Sequence, residues 1–276
     1  MFYLNDKKSI ANKLSRATTE SAGYDVFLNE AISIQKGETK KVVVTLPVVV
    51  EKDYQAHLYL RSSVGIKRGL RLMKNGHGQS FLKLKGYGSD YAEEFISISG
   101  IRSFNVEVHN DGVDDFSAEK DERLFQLVVE GEPIPSVPIQ FEDVIGDSLI
   151  SHRMVEEKTG TGVLLTVCLN EDEKLGNRPR LLSLNKKVKV PARTFLKMSV
   201  INGSSVKLAN GVGIIDADYY GNPSNDGNIM AMVYSEDTES NIREITLLFE
   251  VVPYDTLTDE TEVKVKRIGG SQSTGL

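Results

Sequence analysis

The stretch KKVVVTLPVVVEKDYQAHLYLRSSVGIKRGL, residues 40–70, decides the fold class. Its first part is a β-branched run broken at Pro47, and its second part, YQAHLYLRS (54–62), carries apolar residues with a period near two. Neither part shows the i, i+3, i+4, i+7 spacing of an amphipathic helix, so both predict strands. Working outward, the same texture recurs in FISISG (95–100), FNVEVHN (104–110), RLFQLVVE (123–130) and VLLTVCL (163–169). It continues in FLKMSVI (195–201), IMAMVYS (229–235) and ITLLFEVV (245–252). Gly, Asn, Asp and Pro clusters separate these segments at short intervals, the pattern of an all-β sandwich or barrel. No long amphipathic helix is predicted.

The length of 276 residues predicts roughly two domains, each able to hold its own core. Apolar residues at 40% and charged residues at 26% place the chain among globular proteins rather than disordered ones. The longest apolar run, Val42–Val50, is too short to span a bilayer, and MFYLNDKKSI at the start lacks the apolar core of a secretory signal. A soluble, cytoplasmic protein without membrane contact is expected. With 33 Lys+Arg against 39 Asp+Glu, the formal charge of −6 argues against a nucleic-acid partner, which needs a basic face.

Cys168 is the single cysteine, which excludes an internal disulfide framework and a thiolate-rich metal site. In VLLTVCL it reads as a small buried hydrophobe. The four histidines, at 57, 77, 109 and 152, form no i, i+4 pair and predict no histidine-rich metal site.

Three prolines in GEPIPSVPIQ (131–140) mark the end of a first β unit. The expected division is a first β domain over 1–140, a connector over 141–160 with a short helix in DVIGDSLI, a second β domain over 161–255, and a flexible glycine-rich arm over 256–276. The two units are weakly self-similar. Each ends in an apolar strand running into proline, RLFQLVVEGEPIP in the first and ITLLFEVVPYD in the second. A diverged duplication accounts for this.

Five segments carry the chemistry: SAGYDV (21–26), LRSSVGIKRGL (60–70), DERLFQLVV (121–129), NGVGIIDADYYGN (210–222) and KRIGGSQSTGL (266–276). Together they resemble the trimeric dUTPase family, dUTP diphosphatases whose active site is assembled from five short motifs. Asp25 matches the first motif, Arg61 and Ser62 the second, Asn210, Asp216 and Tyr219 the third, and Arg123 and Gln126 the fourth. The tail resembles the glycine-rich fifth. In that family each site draws motifs from three subunits. Here one chain holds a full set, with motif three in the second half, so the chain resembles the duplicated, monomeric dUTPases of herpesviruses. The resemblance thus implies two tandem dUTPase-like β-barrel or jelly-roll domains and a monomer with one active site, and it is compatible with a viral or phage origin. The equivalent place in the first unit, GYGSDYAEE (86–94), lacks the Gly-x-Ile-Asp core.

The implied reaction is Mg²⁺-dependent hydrolysis of dUTP to dUMP and pyrophosphate, which needs positioning and charge stabilisation more than covalent chemistry. The resemblance makes Asp216 the carboxylate that holds the attacking water, and Asp25 a contact to magnesium through its hydration shell. Arg61, Ser62, the Ser63 backbone N–H and Gln126 would meet the phosphates, and Lys266 or Arg267 the γ-phosphate. Backbone groups of a hairpin over Asn210, Gly213, Ile214, Ile215 and Asp216 would read uracil, and Tyr219 would pack under the deoxyribose and exclude a 2′-hydroxyl. Arg123 is read as structural, pairing with a carboxylate. The basic run Lys67, Arg68, Arg71 and Lys74 is read as a solvated face.

The match departs in places. Leu60 and Ser63 replace the usual Pro and Gly of motif two, and Arg61-Ser62-Ser63 also occurs in dCTP deaminases of the same fold. Ser271 stands where a Phe usually stacks on the base, and GNPSNDGN (221–228) is longer than the usual turn after motif three. Two alternatives therefore stand beside the dUTPase reading: a dCTP deaminase or bifunctional relative, and a nucleotide-binding regulator with little catalysis. Read without the family, DADYYGNPSNDG is also simply a long turn, and Asp25 after Gly23 a turn residue.

Overall fold

A computed structural model describes residues 2–4, 14–46, 48–50, 55–74, 77–79, 82–84, 96–98, 101–144, 153–169, 175–176, 179–201, 205–235 and 243–256. The described chain is nearly all strand, as the alternation predicts, and antiparallel throughout. Its described residues divide into two compact units, one within Met1–Gly131 together with Tyr254, the other within Glu132–Pro253.

In the first unit a five-stranded sheet runs in the order Leu82–Leu84, Gln55–Leu60, Arg123–Glu130, Gly23–Phe27, Ser15–Arg16. A second sheet is built on the ten-residue strand Ile101–Asn110, flanked by Thr39–Leu46 and Leu70–Lys74. Alternate residues of both sheets meet in one core, with Val26, Leu58 and Leu127 from the first and Val44, Leu72 and Val106 from the second. The valine run at 42–44 is not buried on both faces: Val42 and Val44 point inward while Val43 is 42% exposed. Period two, not the apolar run, sets its environment.

The second unit repeats the plan. Its five-stranded sheet runs Arg153–Lys158, Val163–Cys168, Glu244–Pro253, Thr194–Val200, Gly213–Asp216. A three-stranded sheet places Met230–Ser235 between Arg180–Ser183 and Val206–Leu208. In each unit the last long strand in sequence is the centre of the larger sheet, flanked by two earlier strands of the same unit. These two central strands are the proline-terminated segments that the sequence pairs as similar.

Strands occupy part of the segment expected as a connector. Phe141–Asp143 pairs with Lys186–Val188, and Arg153–Lys158 is the edge strand beside Val163–Cys168. The Ile134 N–H bonds the Val251 carbonyl and Ile139 sits in the second core, so this proline-rich stretch packs with the second unit. The expected helix in DVIGDSLI lies largely outside the described residues, as do GYGSDYAEE and the arm from residue 257.

Cys168 corrects one reading. Val163, Leu165 and Val167 fill the core, so alternation turns Cys168 to the other face, where it is partly exposed with Sγ 3.8 Å from Glu244 Oε1. Among the described residues no helix is long and apolar enough to cross a membrane.

Candidate active site

The expected site residues fall into two sets, one in each unit. In the first unit, Gly23–Phe27 and Gln55–Leu60 flank Arg123–Glu130, which places Asp25 directly opposite Gln126. Asp25 is 5% exposed and both of its oxygens are taken by guanidinium groups: Oδ1 lies 3.0 Å from Arg61 Nε, and Oδ2 accepts from Arg123 Nη1 at 3.1 Å. Arg123 thus makes the carboxylate pair that the sequence assigns to it. Two guanidinium groups thus converge on one largely buried carboxylate.

Burial sets the protonation energetics. It pushes the Asp25 carboxyl above its ordinary 3.8, against the pull of Arg61 and Arg123. It also lowers the Arg61 guanidinium, with Asp25 opposing and Arg123 reinforcing that shift.

A β-bulge makes the cluster possible. Arg123 and Gln126 are three residues apart, so in a regular strand they would point to opposite faces. The register slips between Arg123 and Phe125, where Leu124 is the extra residue against Phe27 and Val26. The slip returns Arg123 to the face that carries Asp25 and Gln126. Gly23, two residues before Asp25, lies on this same face. A Cβ there would sit 2.1 Å from Gln126 Nε2 and 2.2 Å from its Cγ, so the absence of a side chain lets Gln126 lie across the strand.

Arg61 ends the strand Gln55–Leu60, its N–H bonding the Leu124 carbonyl at 3.1 Å, and a short helix, Ser62–Lys67, begins immediately after it. Ser62 and Ser63 form its first turn, where backbone N–H groups have no intrahelical acceptor. Arg71, expected on a solvated face, is instead part-buried: its Nη1 donates to the Gly65 and Leu70 carbonyls at 2.9 Å, and Nη2 lies 3.8 Å from Asp111. Leu70 and Leu72 point into the core, so Arg71 faces the helix and braces it. The alternation of GLRLMK holds that signal, but a run of four cations obscures it.

The second unit carries the other set on one hairpin. Met198 opposes Gly213 and Phe195 opposes Asp216 across the strands Thr194–Val200 and Gly213–Asp216. Asn210 shapes the preceding turn, its Nδ2 donating to the Val212 carbonyl at 2.8 Å beside Gly211 at φ +76°. Ile215 points into the core, while Ile214 and Asp216 take the alternate face. Asp216 is 8% exposed and opens a 3₁₀ turn, Ala217–Tyr219. That turn buries Tyr219, whose hydroxyl donates to the Asn228 carbonyl at 2.9 Å. Lys266, Arg267 and Ser271 lie outside the described residues.

Asp25, the residue expected to reach magnesium through water, is the acid of the first-unit cluster. Among the described residues no group of three or more His, Cys, Asp or Glu side chains is gathered for a metal, and each Asp25 oxygen has an arginine nitrogen beside it, at 3.0 Å for Arg61 and 3.1 Å for Arg123.

Sequence reading missed a second buried polar group in the first unit. His57 and Tyr59 share one face of their strand, opposite the core-facing Ala56, Leu58 and Leu60. His57 Nδ1 pairs with Glu130 Oε1, and the Tyr59 hydroxyl donates to Glu130 Oε2 at 3.1 Å. The period-two reading of QAHLYL already places both side chains together. It gives no hint that Glu130 meets them.

No family model matches the chain, and no curated protein matches it. Solved structures do. A dUTPase from Streptococcus mutans is 22% identical, covering 47% of this chain and 94% of its own, with a TM-score of 0.34. A Staphylococcus bacteriophage 80alpha dUTPase with dUpNHpp is 19% identical, covering 55% and 90%, with a TM-score of 0.33. The dUTPase from phage phi11 of S. aureus is 16% identical, covering 54% and 98%, with a TM-score of 0.34. The solved structures to which this chain is similar, over about half its length, are thus dUTPases of a bacterium and of phages.

Proposed function

We propose that the chain is a dUTP diphosphatase that hydrolyses dUTP to dUMP and pyrophosphate. The observation that carries this is the buried Asp25 carboxylate between Arg61 and Arg123, with Gln126 across the strand. Guanidinium groups bind phosphate oxygens through charge-assisted, bidentate bonds, so two of them set around one acid suit a polyphosphate. In this reading Asp25 keeps both arginines in place, while Arg61, Gln126, Ser62 and the Ser63 N–H meet phosphate oxygens.

Asp216 would orient a water and take its proton as the oxygen attacks the α-phosphorus. The bond from the α-phosphorus to the bridging oxygen breaks, and that oxygen leaves with pyrophosphate. Developing charge on the leaving group needs cationic partners, the role this reading would give to Arg61 and to Lys266 or Arg267. Magnesium belongs to the substrate here, bound to the nucleotide's phosphates, and when bound it screens their charge. A contact from Asp25 to that ion through water would use the lone pairs its arginines leave.

The Asn210–Asp216 hairpin would present backbone groups to uracil, with Tyr219 under the sugar. The matching strand orders of the two larger sheets suit a duplicated chain, and a monomer with one active site is part of the same proposal.

The test is release of pyrophosphate from dUTP, dCTP, dTTP and UTP, with Mg²⁺ and then with EDTA, by wild type and Asp216→Asn. Metal-dependent turnover of dUTP, lost in the variant, supports the reading. Ammonia from dCTP would make the chain a deaminase, and tight dUTP binding without turnover a regulator.

A further inference from the structure

The segment GNPSNDGN is longer than a turn after Tyr219 requires, and its amides are spent inward. Asn222 is 3% exposed, and its Oδ1 accepts from the Ser224 backbone N–H at 3.0 Å. A backbone N–H can only donate, so this bond fixes which end of the Asn222 amide is oxygen. Nδ2 of Asn222 therefore donates, to the Tyr219 carbonyl at 3.1 Å and to Asn225 Oδ1 at 2.7 Å. Asn225 Oδ1 also accepts from the Gly227 N–H at 3.2 Å, so its orientation is fixed in turn. Its Nδ2 donates to the Tyr219 hydroxyl at 2.8 Å and to the Asn228 carbonyl at 3.0 Å.

The Tyr219 hydroxyl is thus held on both sides: it accepts from Asn225 and donates to the Asn228 carbonyl. Asn228 is itself anchored, its Nδ2 donating to Ser183 Oγ at 2.7 Å on the strand Arg180–Ser183. Gly227, at φ +76°, closes the loop so tightly that a Cβ would lie 2.6 Å from the Gly221 nitrogen. Lys187 and Asp226, 2.6 Å apart, tie the loop to the strand Lys186–Val188. A surface turn needs none of this. Every bond in the chain from Ser224 to Tyr219 has its polarity set by a backbone donor, and it ends on one aromatic hydroxyl.

We infer that Asn225, oriented by Asn222, is a positioning residue that holds the hydroxyl end of the Tyr219 ring in place and so sets discrimination between deoxyribo- and ribonucleotide. The inference rests on the dUTPase reading. Rejection of a 2′-hydroxyl by contact requires a surface that does not yield, since specificity here is a clash against the wrong ligand rather than a bond to the right one. A ring held only by packing can swing at its hydroxyl end, and bonds at the hydroxyl resist that swing.

The experiment compares kcat/KM for dUTP and UTP in wild type, Asn225→Ala, Tyr219→Phe and the double variant of the full chain. Asn225→Ala is expected to lower the dUTP/UTP ratio about five- to tenfold, the effect of one net hydrogen bond. Tyr219→Phe should lower it similarly, and Asn225→Ala should add nothing in that background. Equal losses on both nucleotides, with the ratio unmoved, would mean the loop merely supports the fold and would overturn the inference. Should Asn225→Ala not fold, Tyr219→Phe decides alone, because it removes only the hydroxyl. A wild type that turns over neither nucleotide removes the dUTPase reading and this inference together. A wild type that hydrolyses dUTP, with a ratio insensitive to both variants, removes the inference alone.

Discussion

Arg61 Nε lies 3.0 Å from Asp25 Oδ1, and neither side chain has much access to water. Such a pair gains little over well-packed apolar groups, but removing one partner strands the other charge. Arg61→Ala should therefore destabilise the protein by about 3 kcal/mol in urea denaturation. Arg61→Lys should recover only part of this, because a point charge cannot reproduce the guanidinium fork. Equal stability of Arg61→Ala and wild type would mean that Arg123 alone satisfies Asp25.

The Asp25 carboxyl titrates above its ordinary 3.8 because burial penalises its charged form. The native state therefore holds this proton more tightly than the unfolded chain does. The stability contributed by Asp25 is fully present below 3.8 and is lost as pH rises through the raised native value. Unfolding free energies of wild type and Asp25→Asn, measured between pH 3.5 and 7, should show the difference shifting toward wild type at the acid end, by about 1.4 kcal/mol for each tenfold tighter hold on the proton in the native state. A difference constant with pH would contradict the raised value.

Gly23 gives Gln126 its place, and Gly23→Ala sets a methyl where the Gln126 side chain now lies. Gln126 can swing away, so the β fold should persist by circular dichroism while the proposed dUTP hydrolysis falls roughly tenfold or more, the scale of losing one charge-assisted contact. The decisive comparison is with Gln126→Ala. Adding Gly23→Ala to that variant should cost no further activity, and a further loss would show that Gly23 acts by another route.

The Tyr59 hydroxyl donates to the buried Glu130, and burial together with that carboxylate keeps the phenol protonated well beyond its usual range. Tyr59→Phe removes this donor, and thermal denaturation should reveal a loss of about 1–3 kcal/mol. Glu130→Leu removes the carboxylate partner of both Tyr59 and His57 and should cost more. The reverse order would mean that Glu130 is held mainly by other groups.

Much of this molecule is legible in its residues. QAHLYL, VLLTVCL and ITLLFEVV declare strands by alternation, and the same alternation, applied strictly, puts Cys168 outside and His57 beside Tyr59. Asp25, Arg61, Arg123 and Gln126 stand out one by one through their motifs. That four such distant positions form one cluster is not a local property. Arg123 and Gln126 share a face only because of a bulge, and what fixes a bulge is how both neighbouring strands pair with theirs.

The loop after Tyr219 marks the same boundary. Its composition announces a turn, and its length shows that the turn is unusual. Which amide faces which partner depends on backbone donors at Ser224 and Gly227, whose directions exist only once the chain has closed on itself. The sequence by itself determined the period of the strands, the all-β class and the residue types available for chemistry, because side-chain alternation is a local consequence of strand geometry. Only the tertiary structure decided which charges share a carboxylate, which arginine braces a helix and which amide holds Tyr219. Those relationships depend on register, bulges and burial, and long-range strand pairing sets all three.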